Sequence, residues 1–157
     1  MKIEIWSVGK DNGDFIESGI KYYLKKLKPF CTLDFIFINP PKRTTAMPID
    51  QMKKAEEKLI LEKIQPAHYL ILLDEKGKSL TSIAWANELE KLKDSNTKTL
   101  VFLIGGPWGI TENVRKAAKQ TWNLSTLTFP HQLVRLIMAE QLYRSFSIMN
   151  NSAYHHE

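Results

Sequence analysis

The chain has 157 residues, 43% of them hydrophobic and 25% charged, which is the size and balance of a single folded domain and not of a disordered or fibrous chain. Its apolar runs, Tyr69–Leu73 and Leu100–Ile104, are too short to span a bilayer, Glu4 breaks the stretch a secretory leader would need, and Cys31 has no second cysteine to bridge to, so a cytoplasmic setting is expected. A net charge of +5 with a pI near 9.2 suits a polyanionic partner, although Lys21, Lys25, Lys26 and Lys28, like Lys53, Lys54 and Lys58, fall at the spacing of solvated helix faces.

In chain order, Lys2–Val8 is rich in strand formers and predicts a first strand. Phe15, Ile16, Ile20, Tyr23, Leu24 and Leu27 recur at helical spacing, with Pro29 just beyond. Cys31–Ile38 predicts a second strand, ended by Asn39-Pro40-Pro41 because proline cannot donate to a central ladder. After a polar connection, Met52, Ala55, Leu59, Ile60 and Ile64 form a second helical stripe, with Asp50 as N-cap and Pro66 as terminator. Tyr69–Leu73 and Thr99–Ile104 predict strands buried on both faces. Between them lies a helix capped by Thr81 or Ser82 and carrying Trp85, Ala86, Leu89 and Leu92. Thr111 caps a short helix to about Gln120, Trp122–Leu127 predicts a short fifth strand, and Pro130–Met149 a long helix.

Strands that alternate with helices, two of them apolar on both faces, predict an α/β protein: a largely parallel sheet flanked by helices in one domain over residues 1–157. Ligands of such sheets bind beyond the carboxyl ends of the strands. Three segments leave strands in that position. Gly105-Gly106-Pro107-Trp108-Gly109 follows the fourth strand and allows close backbone approach. Leu73-Asp74-Glu75-Lys76-Gly77-Lys78-Ser79 reads by itself as a charged surface turn. Leu124-Ser125-Thr126-Leu127-Thr128-Phe129 mixes hydroxyls with apolar groups, as an adenine-and-ribose pocket requires. The dinucleotide fingerprint and the P-loop are both absent. Four histidines and one cysteine show no metal-ligand spacing, so no metal is expected, and His68 reads as structural or surface.

The final helix carries an apolar stripe, Val134, Ile137, Met138, Leu142, Phe146 and Met149, together with Arg135, Glu140, Gln141 and Arg144, which packing does not explain. Three motifs recur in order: Leu73-Asp74-x-x-Gly77-Lys78-x-Leu80-x-Ser82, Phe102-x-Ile104-Gly105-Gly106-x-x-Gly109, and Thr128-Phe129-Pro130-His131-Gln132 followed by Glu140-Gln141-x-Tyr143-Arg144 and terminal Tyr154-His155. With Val8-Gly9-Lys10 near the start, this combination resembles, over nearly the whole chain, the bacterial 23S rRNA pseudouridine-N3 methyltransferases called RlmH, within the knotted SPOUT class.

The resemblance implies a SPOUT-type fold with a C-terminal trefoil knot, which periodicity alone would never suggest. It also implies an obligate homodimer, S-adenosyl-L-methionine as cofactor, and a substrate in the ribosome: a pseudouridine of 23S rRNA, conventionally position 1915, in assembled 70S particles. The family's cofactor contacts fall here at Leu73, Gly105, Leu124, Ser125, Thr126, Leu127, Thr128 and Phe129. Leu127 stands where the family often has methionine, a swap of similar volume, and the tail reads Tyr154-His155-His156-Glu157 where a basic residue more often follows Tyr-His.

Methyl transfer to N3 needs in-line positioning and removal of the imide proton. His155 or His131 is the expected base or proton relay, Tyr154 a stacking or hydrogen-bonding partner, and Arg144 an anion stabiliser or phosphate anchor. Arg135 and Gln132 are expected to hold the dimer or the cofactor loop. Two other readings compete: a SPOUT enzyme acting on a tRNA ribose hydroxyl, against which the Tyr-His terminus argues, and a catalytically silent RNA-binding protein, against which the glycine and His-Gln motifs argue.

Overall fold

The alternating and doubly apolar segments pair into one parallel sheet. The computed structural model describes residues 1–9, 13–40, 42 and 47–154. Its elements are β1 (Lys2–Val8), α1 (Asp14–Leu27), β2 (Thr32–Ile38), α2 (Ile49–Lys63), β3 (His68–Ser79), α3 (Ser82–Asp94), β4 (Thr99–Ile104), α4 (Glu112–Ala117), β5 (Gln120–Asn123) and α5 (His131–Met149). The strand order is β2-β1-β4-β3-β5, and every neighbouring pair runs parallel.

Side chains alternate across this sheet into two cores. Ile3, Ile5, Ile71, Leu100, Phe102 and Trp122 face one way and pack with Leu27 of α1, Trp85, Leu89 and Leu92 of α3, and Met138, Leu142 and Phe146 of α5. Trp6, Val8, Leu70, Leu72, Val101 and Leu103 face the other way and pack with Ile60 of α2 and Val114 of α4. Crossovers toward β2 therefore carry their helices on the first face and crossovers toward β5 on the second. All four share one hand, as the right-handed rule for parallel connections requires.

Several boundaries differ from expectation for local reasons. Asp50 is not the cap of α2: Pro48 holds that position, and Asp50 lies in the first turn, where its charge faces the positive end of the helix. Thr81 does cap α3, accepting from the Ala84 amide at 3.2 Å, whereas Thr111 has cap geometry but makes no capping bond with its side chain. α4 stops at Ala117, short of Gln120, because the Lys119 amide bonds to the Leu70 carbonyl at 2.8 Å and the chain joins the sheet. β5 ends at Asn123, not Leu127. Asn123 Oδ1 accepts from the Ser125 amide at 3.0 Å and Ser125 Oγ from the Leu127 amide at 3.0 Å, so side chains take the backbone out of the ladder.

The largest difference is in β3, which runs past Leu73 to Ser79 where a charged turn was expected. Its register against β5 shifts between Leu73 and Lys78, so that both pair with Trp122. Gly77 makes this possible: a Cβ there would lie 2.5–2.7 Å from backbone atoms of Thr121 and Trp122.

α5 is covered on more than one side. Arg135, Met138, Ala139, Leu142, Ser145, Phe146 and Ser147 are all buried, while Val134, Ile137 and Met149 of the expected stripe are only partly so. The helix packs against both α1 and α3, and Gly19 of α1 admits Leu136, whose Cδ1 would be 2.7 Å from a Cβ there. The lysines of α1 and α2 singled out above are mostly exposed.

Gly77→Ala should cost about 1–3 kcal/mol, the usual penalty of forcing an extra carbon into a packed site, because a backbone must move to admit it. Urea unfolding of the wild type and variant checks this, and an unchanged midpoint would contradict the close approach.

Candidate functional site

The register of the sheet brings the three selected segments to one edge. Leu73 of β3 pairs with Ile104, the last residue of β4, and with Trp122 near the end of β5, so the middle of β3 lies level with the carboxyl ends of β4 and β5. Beyond them lies a cavity of about 680 Å³. Its walls are Leu73–Lys76 within β3, where the register against β5 shifts, residues between Ile104 and Ile110 at and beyond the end of β4, Asn123–Phe129 at and beyond the end of β5, and His131 and Val134 of α5. All eight expected cofactor positions line it, and so does His131.

The glycine loop has a different reason for its glycines than expected. A Cβ on Gly105 would meet Ile110 Cγ1 and Cδ1 at 2.7 Å, and one on Gly106 would meet the Glu56 carboxylate at 2.5 Å. The space freed by the missing side chains is filled by the protein itself, which fixes the loop's shape. Glu56 is 4% exposed, and burial pushes its carboxyl up, opposed by Lys53. Nothing in Lys53-Lys54-Ala55-Glu56-Glu57-Lys58 distinguishes Glu56 from a solvated residue, so sequence reasoning missed it.

A second clasp joins the irregular stretch of β3 to α4. Arg115 Nη2 donates to Asp74 Oδ2 at 3.0 Å, and the Lys76 amide donates to Asp74 Oδ1 at 2.9 Å. These bonds outweigh burial and hold the Asp74 carboxyl below its ordinary range. The motif around Asp74 was visible in sequence, but its partner in α4 was not.

His131 opens α5 at the cavity wall. Burial, then the positive charge of Arg135, push its imidazole down, which keeps it neutral and able to accept a proton near neutrality. Arg135 is 2% exposed and absent from the cavity wall. It donates from Nε to Ser7 Oγ at 2.8 Å and from Nη2 to the Gly9 carbonyl at 3.3 Å, and stacks over Phe37. It ties α5 to the end of β1.

Arg144 and Tyr154 lie elsewhere. Arg144 stands about 20 Å along α5 from His131 at 1.5 Å per residue. Its Nε donates to Glu140 Oε1 at 2.9 Å, and its guanidinium covers the Tyr154 ring. Tyr154 donates to the same Glu140 oxygen at 3.2 Å and meets the Tyr23 hydroxyl at 3.4 Å. Burial raises the Tyr154 phenol well above its ordinary value, so it stays a neutral donor. Gln141 joins the group by donating from Nε2 to Glu140 Oε2 at 2.6 Å, and its Oε1 accepts from Ser82 Oγ of α3 at 3.0 Å. His155 and His156 lie outside the described residues. His68 sits at the opposite end of the sheet, edge-on to Trp6. Among the described residues no group of three or more His, Cys, Asp or Glu is placed to hold a metal, and no helix is long and apolar enough to cross a membrane.

A parallel sheet with a cavity of polar and apolar walls at its carboxyl edge defines an α/β protein built to hold a small ligand there. Residues 1–155 match the family model described as "Predicted SPOUT methyltransferase". Proteins named ribosomal RNA large subunit methyltransferase H from Cytophaga hutchinsonii and Flavobacterium johnsoniae are each 41% identical, over 99% and 100% of the chain and the full length of both relatives. One of that name from Bacteroides thetaiotaomicron is 38% identical over the full length of both chains. A solved structure described as a probable methylase family protein from Haemophilus influenzae has the same fold, with a TM-score of 0.53 at 13% identity, and the match covers 95% of this chain and 66% of that one. The chain belongs to the SPOUT methyltransferase family.

The packing of the glycine loop is open to a direct test. Gly105→Ala should destabilise the fold by about 1–3 kcal/mol, and adding Ile110→Ala should cost less than the two single changes summed, because the second change clears the space the first one fills. A denaturant double-mutant cycle with no coupling would contradict the contact.

Proposed function

We propose that this protein methylates N3 of a pseudouridine in large-subunit rRNA, position 1915 of 23S rRNA, on assembled 70S ribosomes in the cytoplasm, with S-adenosyl-L-methionine as donor. The observation that carries the reading is the convergence of Leu73, Gly105 and Leu124–Phe129, far apart in sequence, on the wall of one cavity in a chain whose full-length relatives bear the rRNA methyltransferase name.

The residues present fit the cofactor. A cavity of about 680 Å³ falls within the roughly 300–1,000 Å³ of small-molecule sites. Leu73, Leu124 and Phe129 offer apolar surface to an adenine, Ser125, Thr126 and Thr128 offer hydroxyls to a ribose, and Glu75 offers negative charge to a cationic chain. When bound, the cofactor supplies a methyl group on a positively charged sulfur. The glycine loop and the Asp74–Arg115 clasp hold the walls in place, so that positioning carries much of the acceleration. His131, neutral and on the cavity wall, takes or relays the N3 proton, a role that His155 shares or replaces.

The homodimer and the trefoil knot belong to the same proposal. Arg144 and Tyr154 stand too far from His131 to serve their own chain's cavity, so they act, with His155, on the cavity of a second copy. There Tyr154 donates to or stacks on the base, and Arg144 steadies its developing negative charge or a phosphate. The burial of α5 on several sides is what a helix threaded through a loop requires.

Labelled methyl transfer to intact ribosomes, free rRNA and tRNA in parallel tests the reading. Ribosomes should carry the label at N3 of one pseudouridine. Label on tRNA, or none on ribosomes, would overturn it.

The base assignment predicts a pH profile. The folded-state value of His131 lies below its unfolded value of about 6.5. Its neutral form therefore prevails throughout pH 7–9, and both activity and its share of stability are lost as pH falls from about 6.5 through the folded-state value. If His131→Ala and His155→Ala each keep wild-type rates from pH 6 to 9, neither histidine is the base.

A further inference from the structure

Glu56 occupies a position where packing alone would favour an apolar side chain. On α2 it falls between Met52 and Ile60, the other two buried residues of the helix. Its carboxylate oxygens stand 2.5 and 2.8 Å from the place a Cβ on Gly106 would take, and Gly106 is part of the cavity wall whereas Glu56 is not. The carboxyl group therefore adjoins the ligand space with the loop's backbone between. Among the described residues it makes no hydrogen bond or ion pair. The glycine loop carries no charge of its own. The charged residues of β2 and α4, which pack against α2, are engaged elsewhere: Asp34 with Lys2, and Arg115 with Asp74 and Glu112, while Lys116 is exposed. A buried carboxylate without a partner is costly. In Glu4 and Asp74 bonded partners outweigh burial and hold the carboxyl down. In Glu56 burial prevails over Lys53 and pushes it up.

Given the function proposed above, on which this inference rests, we infer that Glu56 is the residue by which the cavity distinguishes the cationic methyl donor from the neutral product left after transfer. The two molecules differ in charge at one atom: the sulfur of the donor is positive, and the thioether that remains is not. A positive charge brought into the cavity acts on Glu56 through backbone and packed side chains, not through water, and in such surroundings electrostatic attraction is strong. It supplies the partner the carboxylate lacks, so Glu56 is ionised, its proton passing to solvent, when the donor is bound. Loss of the methyl group removes that partner. Glu56 then recovers the proton from solvent in mildly acidic solution, and the product is held by shape and hydroxyls without the attraction. Glu75 lines the cavity as well, but it is exposed and its charge is screened by water.

The test titrates the wild type and Glu56→Gln, by calorimetry, with S-adenosyl-L-methionine and separately with S-adenosyl-L-homocysteine. The substitution keeps the shape of the side chain and removes its charge, and circular dichroism checks that the variant folds. Glu56→Gln should weaken donor binding about tenfold, the order of effect of one unit charge in partly buried surroundings, and leave product binding within twofold. A second measurement needs only the wild type. In mildly acidic solution, infrared difference spectra should lose a protonated-carboxyl band when the donor is added and keep it when the product is added, a signal to which His131, the other titrating group pushed toward neutrality at the wall, cannot contribute. Equal weakening of donor and product would make Glu56 a support of the loop's shape and nothing more. That result, unchanged affinities, or an unaltered carboxyl band overturns the inference while the proposed function stands. A wild type that binds no donor overturns both.

Discussion

The arrangement depends on the parallel register that levels β3, β4 and β5. Side chains along a strand alternate between faces, so a slip of one residue would drive the whole Leu70–Leu73 set to the wrong core. Burial on both faces forbids that slip: Leu70, Ile71, Leu72 and Leu100–Leu103 are all at most 1% exposed, and Trp85, Phe102 and Trp122 lock together beneath them with ring centres 4.8–5.7 Å apart. Once the strands are level, the irregular stretch of β3 and the loops after β4 and β5, distant in sequence, must lie side by side. The cavity is a consequence of core packing, and the loops only line it.

This explains which parts of the molecule could be read from sequence. β1 and β4 have the expected bounds because their patterns reflect burial, which is the same force that builds the sheet. The expected cofactor positions converge on one cavity because the α/β pattern and the motifs both point to the carboxyl edge. The boundaries that went astray turn on bonds between segments or on local side-chain bonds: Lys119 to Leu70, Asn123 to Ser125, and Gly77 beneath Trp122. No single-segment pattern reports such contacts. The separation of Arg144 from His131 follows from the length of the predicted helix, whereas the return of Tyr154, beyond that helix, to Glu140 and Tyr23 was hidden.

α5 shows why its polar residues needed an explanation beyond a solvated face. A charged residue is expensive to bury unless its donors are met, and Arg135 meets them with Ser7 Oγ, the Gly9 carbonyl and the ring of Phe37. The same guanidinium adds to the burial of His131 one turn away and favours its neutral form. One buried cation thus both anchors the helix to β1 and prepares the imidazole at the cavity wall. At the other end Glu140 gathers Arg144, Tyr154 and Gln141 into one charged and aromatic group.

The glycine loop joins these features. A loop whose glycines were needed only for a ligand's approach would have no fixed shape without that ligand. Here Ile110 and Glu56 already fill the space beside Gly105 and Gly106, so the wall is formed by packing and little ordering remains to oppose binding. The same packing has an effect on the outer surface. It backs the Gly106–Gly109 turn, which the Gly109 amide closes by donating to the Gly106 carbonyl at 3.1 Å. The residues that fix the loop, Glu56 and Ile110, include one, Glu56, that has no place on the cavity wall, so the shape of the wall is set in part from behind it.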